Sequence, residues 1–257
     1  MKAATTFAST SIKNYSPPPT TTYQAFVSII IPTLNEAPNI CRQAQALSRL
    51  PNAEIIFADG GSGDGTANAI DSLLPELPNV HLLQTPCGRA RQMNTGAQHA
   101  QGEWLIFLHA DTVLPKDSFG AFITRIKESP HINSGAFTFR VDHAHWSYRY
   151  LEFYVGLRCK FLKLPFGDQA LFIKRRLFEE LGGYRDDFPL MEDMELVQRL
   201  NKQAGFMILP APVFTSPRRY ENDGFFKRGL GNIYLQLLYR CGVHPRELAK
   251  KYYPRNA

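Results

Sequence analysis

The run Val27-Ser28-Ile29-Ile30-Ile31, apolar at all but one position and stopped by Pro32, limits most strongly how this chain folds. A strand with so little polar alternation is buried on both faces, as inside a parallel sheet covered by helices, and Pro32 ends the ladder because it has no amide hydrogen. Similar runs recur at Glu54 to Ala58, Val80 to Leu83 and Trp104 to Leu108, stopping at or just before Asp59-Gly60-Gly61, Pro86 and His109-Ala110-Asp111. Asn39 to Leu50, Thr66 to Leu74 and Arg89 to Ala100 lie between them, each of helical length. Alternating strands and helices predict an α/β fold with a Rossmann-like, mostly parallel sheet flanked by helices.

After Asp111 the pattern becomes mixed. The spacing predicts a helix over Lys116 to Glu128, a strand over Gly135 to Arg140, an aromatic helix over Trp146 to Phe161, a strand over Gln169 to Lys174 and a helix over Glu192 to Gln203, closed by Gly205. No Gly/Ser/Pro-rich stretch separates the halves, so Asp111 reads as a seam inside one domain spanning 27–223. Residues 1–26 differ in kind: rich in Ser, Thr and Pro and free of acidic residues, they read as a disordered tail, with a plastid-type transit peptide as the alternative. Residues 224–257 read as a basic, amphipathic, helical C-terminal segment that packs on its own domain or a second subunit, or lies in a membrane interface.

Composition excludes whole classes. With 257 residues, 44% hydrophobic and 20% charged, the chain can build a core and is neither disordered nor collagen-like. Its net charge of +6 favours an anionic partner, with solubility alone as the alternative; the basic residues are dispersed and no nucleic-acid-binding module appears. Cys41, Cys87, Cys159 and Cys241 are far apart without metal-site spacing, and read as free thiols in a reducing compartment. The expected location is cytoplasmic, with peripheral contact at the inner membrane face as the alternative.

The chemistry-bearing residues fall at the carboxyl ends of the predicted strands, where open parallel sheets bind ligands. Pro32-Thr33-Leu34-Asn35-Glu36 follows the first strand, and Asp59 to Thr66, rich in glycine, follows the second. Such a loop lets backbone amides approach a ligand, although it also serves as an ordinary tight turn. In His109-Ala110-Asp111 the outer side chains are two residues apart, so on an extended strand end they project to one side, where they can share a divalent cation; Asp111 as a helix cap is the competing reading. Glu192-Asp193 precedes Leu196, Val197 and Leu200, a spacing that buries one helix face and leaves both carboxylates in the first turn.

Taken in order from Val27 to Tyr220, these segments resemble the family-2 glycosyltransferases of the GT-A fold, and especially a small bacterial branch whose metal motif reads His-Ala-Asp. The resemblance implies an inverting transferase that moves a sugar from a nucleotide-diphosphate donor, a UDP-sugar favoured, to a hydroxyl acceptor. It implies that Pro32, Thr33, Asn35, Glu36, Asp59 and Gly61 line the nucleotide pocket, and that Arg89, Arg91 and Asn94 approach the nucleotide and diphosphate. Asp111, with His109 where the family usually has aspartate, would hold the cation, Mn²⁺ or Mg²⁺; the softer imidazole favours Mn²⁺. His109 and Ala110 would also touch the donor, Gly167, Asp168 and Gln169 the sugar, and Arg218 and Arg219 the leaving diphosphate. Asp193 would be the catalytic base and Glu192 would orient it. The alternatives are a sugar nucleotidyltransferase, which would carry a basic, glycine-rich loop after the first strand, and a non-catalytic nucleotide- or glycan-binding module.

Overall fold

The computed structural model describes residues 26–252, so most of the expected N-terminal tail lies outside the described residues. The first half follows the alternation closely. Strand β1 (Val27–Thr33), helix α1 (Ala37–Ser48), β2 (Ala53–Asp59), α2 (Thr66–Asp71), β3 (Val80–Gln84), α3 (Arg89–His99) and β4 (Trp104–Phe107) appear in that order. β1 pairs in parallel with both β2 and β4, and β2 pairs in parallel with β3. Ile29 and Ile31 of β1 enter the core on one face of the sheet and Ile30 that on the other, which explains the unalternating run.

The second half supplies β5 (Thr112–Val113), α4 (Lys116–Glu128), β6 (Ser134–Val141), α5 (Trp146–Leu162), β7 (Leu171–Lys174), α6 (Arg175–Glu180), α7 (Glu192–Leu200), β8 (Phe206–Thr215), α8 (Arg218–Asp223), α9 (Phe225–Arg240) and α10 (Pro245–Tyr252). All eight strands form one sheet in the order β3-β2-β1-β4-β7-β6-β8-β5, with β7 antiparallel to both its neighbours and β8 parallel to β6. Trp104, Phe122, Phe137 and Phe172 meet at ring separations of 5.0 to 6.1 Å and lock α4 onto the centre of this sheet.

Two expectations are corrected. The strand expected from Gln169 begins at Leu171, because Gly167–Gln169 is a single 3-10 turn. Strand β8 follows Gly205, where no strand is expected; it carries Pro210 and Pro212, and a register shift opposite Phe137 and Thr138 accommodates that stretch. Among the described residues, no helix is long and apolar enough to cross a membrane. Helix α9 packs on the body through Leu235, which clusters with Leu190 and with Leu248 of α10.

Candidate active site

Two loops are laced together beyond the ends of β1 and β2. Asn35 adopts a left-handed conformation at φ 56°, its amide donates to the Ser62 hydroxyl at 2.9 Å, and its side-chain oxygen accepts from the Gly63 amide at 3.0 Å. The Glu36 amide donates to Thr66 Oγ1 and the Ala37 amide to the Asp64 carboxylate. Asp59 is buried and accepts from the amides of Gly61 and Ser62 at 3.0 Å, so its carboxylate shapes its own loop. Gln92, not singled out as a site residue in the sequence, joins the layers by donating to the carbonyls of Thr33 and Ala58 at 2.8 and 2.7 Å.

A cavity of about 470 Å³ is lined by other segments, and none of Pro32, Thr33, Asn35, Glu36, Asp59, Gly61 or Ala110, all expected at the site, is in its lining. Arg89, His109, Asp111, Asp168, Asp193 and Arg219 all line it, drawn from five separate stretches of chain. The His-Ala-Asp segment reaches it from a turn rather than from an extended strand, since β4 ends at Phe107 and the Thr112 amide closes back on the His109 carbonyl at 3.0 Å. Gln43 holds this turn by donating to the carbonyls of His109 and Thr112, both at 3.1 Å.

The Glu192-Asp193 pair opens α7, where carboxylates are favoured by the helix dipole. Glu192 is buried and forms an ion pair with Arg89 at 3.0 Å. Asp193 is buried beside it: Oδ2 accepts from the Gly167 amide at 3.1 Å, and Oδ1 has no hydrogen-bond partner. Burial, reinforced by the Glu192 charge, pushes the Asp193 carboxyl up to about 7. A Cβ at Gly167 would meet both the Asp193 carboxylate and the His109 ring and force one of them to shift.

His109 Nε2 is also buried without a partner, and burial, with the charges of Arg89 and Arg219, lowers the imidazole to about 3. A neutral imidazole on the cavity lining suits a cation, as does the Asp111 carboxylate, which sits 3.7 Å from Arg219. Among the described residues no group of three or more His, Cys, Asp or Glu is arranged to hold a metal ion. Asp168 Oδ1 is likewise unpartnered, and burial raises this carboxyl.

Several expected site residues are placed elsewhere. Gln169 is buried outside the cavity lining, accepting from Arg158 and Cys159 and donating to the Phe137 carbonyl, so its side chain is spent on internal packing. Asn94 is clamped to the Tyr184 backbone at 2.8 and 2.9 Å and to Asp186. Arg91 is exposed and outside the cavity lining. Arg218 also lies outside that lining and grips Glu36 through bonds of 2.8 and 3.0 Å, tying α8 to the loop after β1. Arg158, not anticipated, reaches the cavity wall with its guanidinium 3.7 Å from the Phe166 ring centre.

Residues 28–182 match the model of glycosyl transferase family 2. The chain is 30% identical over 176 residues to the PGL/p-HBAD biosynthesis glycosyltransferase of Mycobacterium tuberculosis, covering 65% of this chain and 66% of that relative. It is 30% identical over 112 residues to the undecaprenyl-phosphate 4-deoxy-4-formamido-L-arabinose transferase of Shewanella sediminis, covering 40% and 34%. Among solved structures, the mannosyltransferase PcManGT from Pyrobaculum calidifontis, in complex with GDP-Man and Mn²⁺, superposes with a TM-score of 0.64 at 22% identity, covering 90% of this chain and 70% of that one. TarS of S. aureus in complex with UDP-GlcNAc superposes at 0.60 with 16% identity, covering 74% and 58%.

Proposed function

We propose that this chain, which belongs to glycosyl transferase family 2 and has its GT-A fold, transfers a sugar from a nucleotide-diphosphate donor, a UDP-sugar favoured, to a hydroxyl acceptor with inversion. The carrying observation is Asp193, a buried carboxylate on the cavity lining with one oxygen held by the Gly167 amide and the other without a hydrogen-bond partner. A general base needs that arrangement: fixed orientation, a lone pair aimed at the acceptor and an affinity for protons near neutral pH.

In this reading the laced loops after β1 and β2 bind the nucleotide, and Arg219, with Arg89 beside it, faces the diphosphate. Asp193 Oδ1 takes the acceptor proton as the acceptor oxygen attacks the anomeric carbon and the bond to the diphosphate breaks. Glu192, neutralised by Arg89, keeps α7 in register with the cavity. Asp111 and His109 would hold a divalent cation, which when bound supplies positive charge to the leaving diphosphate. Two neighbours of the same fold support a nucleotide-sugar donor by their bound GDP-Man and UDP-GlcNAc. The test is a transfer and donor-hydrolysis assay across UDP- and GDP-sugars. Turnover that disappears in Asp193→Asn while nucleotide binding persists is expected; turnover undiminished in that variant would remove Asp193 from the role.

A further inference from the structure

The cavity is walled by α5 and α9, and both helices turn a row of large apolar side chains outward. On α5 the row is Trp146, Tyr150, Phe153, Leu157 and Phe161, with Phe161 72% exposed. Spacings of four, three, four and four residues put these side chains on one helix face. On α9 the row is Phe226, Leu230, Tyr234 and Leu237, again at helical spacing, with Phe226 74% exposed. Tyr150 of the first row and Phe226 and Leu230 of the second also line the cavity, so both rows border it. Contiguous exposed apolar surface of this kind marks an interaction site.

Charge selects the occupant. Helix α9 carries Lys227, Arg228 and Arg240 and no acidic residue. The one acid of α5, Glu152, is buried and paired with Arg140 and Arg149, while Lys160 and Lys163 stand exposed at the end of the helix. Lys250 and Lys251 are exposed on α10. The nearby exposed acids lie off both rows: Glu221 and Asp223 on α8, with Asp223 paired to Arg228, and Glu247 on α10, paired to Lys250. This leaves Lys160, Lys163, Lys227 and Lys251 as the exposed lysines here with no acid paired to them in a salt bridge. Two copies of such a face would bring like charges together, whereas an anionic bilayer accepts aromatic side chains at its interface and attracts the surrounding lysines.

We infer that α5 and α9 together form a docking face for an anionic lipid bilayer, with the cavity they border turned towards the headgroups. This goes beyond the transferase reading and does not depend on it.

Co-flotation of the full chain with vesicles of phosphatidylcholine, alone or mixed with phosphatidylglycerol, tests the inference. The chain is expected to float with the anionic vesicles and to be released by salt. The variant Phe153→Ser/Phe161→Ser/Leu237→Ser, which alters exposed residues outside the cavity lining, is expected to lower partitioning by more than about tenfold. Lys160→Gln/Lys227→Gln provides a second variant that leaves the apolar rows intact, and it is expected to weaken binding to the anionic vesicles alone. Calorimetric titration with UDP and GDP reads the proposed donor site separately: flotation without nucleotide binding would leave the face standing and sink the transferase reading. Failure of the full chain to float with either vesicle, or equal flotation of the parent and both variants, would overturn the inference. So would a dimer in light scattering that the triple variant dissociates, which assigns the face to a second copy.

Discussion

The Gly167 amide donates to Asp193 Oδ2 at 3.1 Å and leaves Asp193 Oδ1 buried without a partner. The bond brings together the turn before β7 and the first turn of α7. It fixes the carboxylate in a place where a side chain on residue 167 would displace it.

Gly167→Ala is therefore expected to reduce turnover by about a hundredfold, since displacing a reacting group by about an ångström costs that much. Because the same Cβ also meets the His109 ring, Mn²⁺-dependent nucleotide binding, measured by calorimetry, should weaken as well, but by less than turnover. Equal loss of binding and turnover would instead indicate general disruption.

Asp193→Asn is expected to lower transfer by at least about a hundredfold, within the range that general bases contribute. It should also stabilise the fold. The folded carboxyl sits near 7, above its ordinary value of 3.8, so the folded state holds a proton that the unfolded chain has released. Stability from this group is present below about pH 4 and is lost as pH rises through about 7. The asparagine variant should thus melt higher than the parent, by a margin that widens between those values and levels off above them; thermal melts across that range check it.

The pH profile of turnover should follow the same group in the opposite sense. Asp193 accepts a proton only when ionised, so kcat is expected to rise as pH increases through about 7. A profile flat from pH 5 to pH 9 would count against Asp193 as the base.

Arg89→Ala leaves Glu192 buried without its ion-pair partner, and is expected to cost about 3 kcal/mol in urea unfolding. Adding Glu192→Gln should recover much of that loss, because the stranded charge is then gone. A double variant no more stable than Arg89→Ala would show that the pair is not what holds this wall.

The four parallel strands and the loops beyond them were legible because each strand is a short apolar run ended by a turn signal, as at Pro32 and Asp59. Asp193, Glu192, His109 and Asp111 stand out in the sequence as carboxylates and an imidazole at element ends, and all four line one cavity. Strand β8 does not stand out, since Pro210 and Pro212 mask it and only the register shift against β6 accommodates them. Asn94 and Gln169 look like site residues in sequence because they are polar and close to motifs. The fold instead spends their amides on backbone groups from distant segments, Tyr184 and Phe137, partners that no local pattern reveals. Gln92 and Gln43 went unmarked for the same reason, although each ties two layers together at the site.

The most direct test of the central claim, a cation-assisted nucleotide-sugar site, is calorimetric titration of the chain with UDP and GDP, each with and without Mn²⁺, alongside Asp111→Ala. The account predicts that one nucleotide binds, that binding requires Mn²⁺, and that Asp111→Ala abolishes it while the melting transition stays cooperative. Absence of binding by either nucleotide under every metal condition would contradict it.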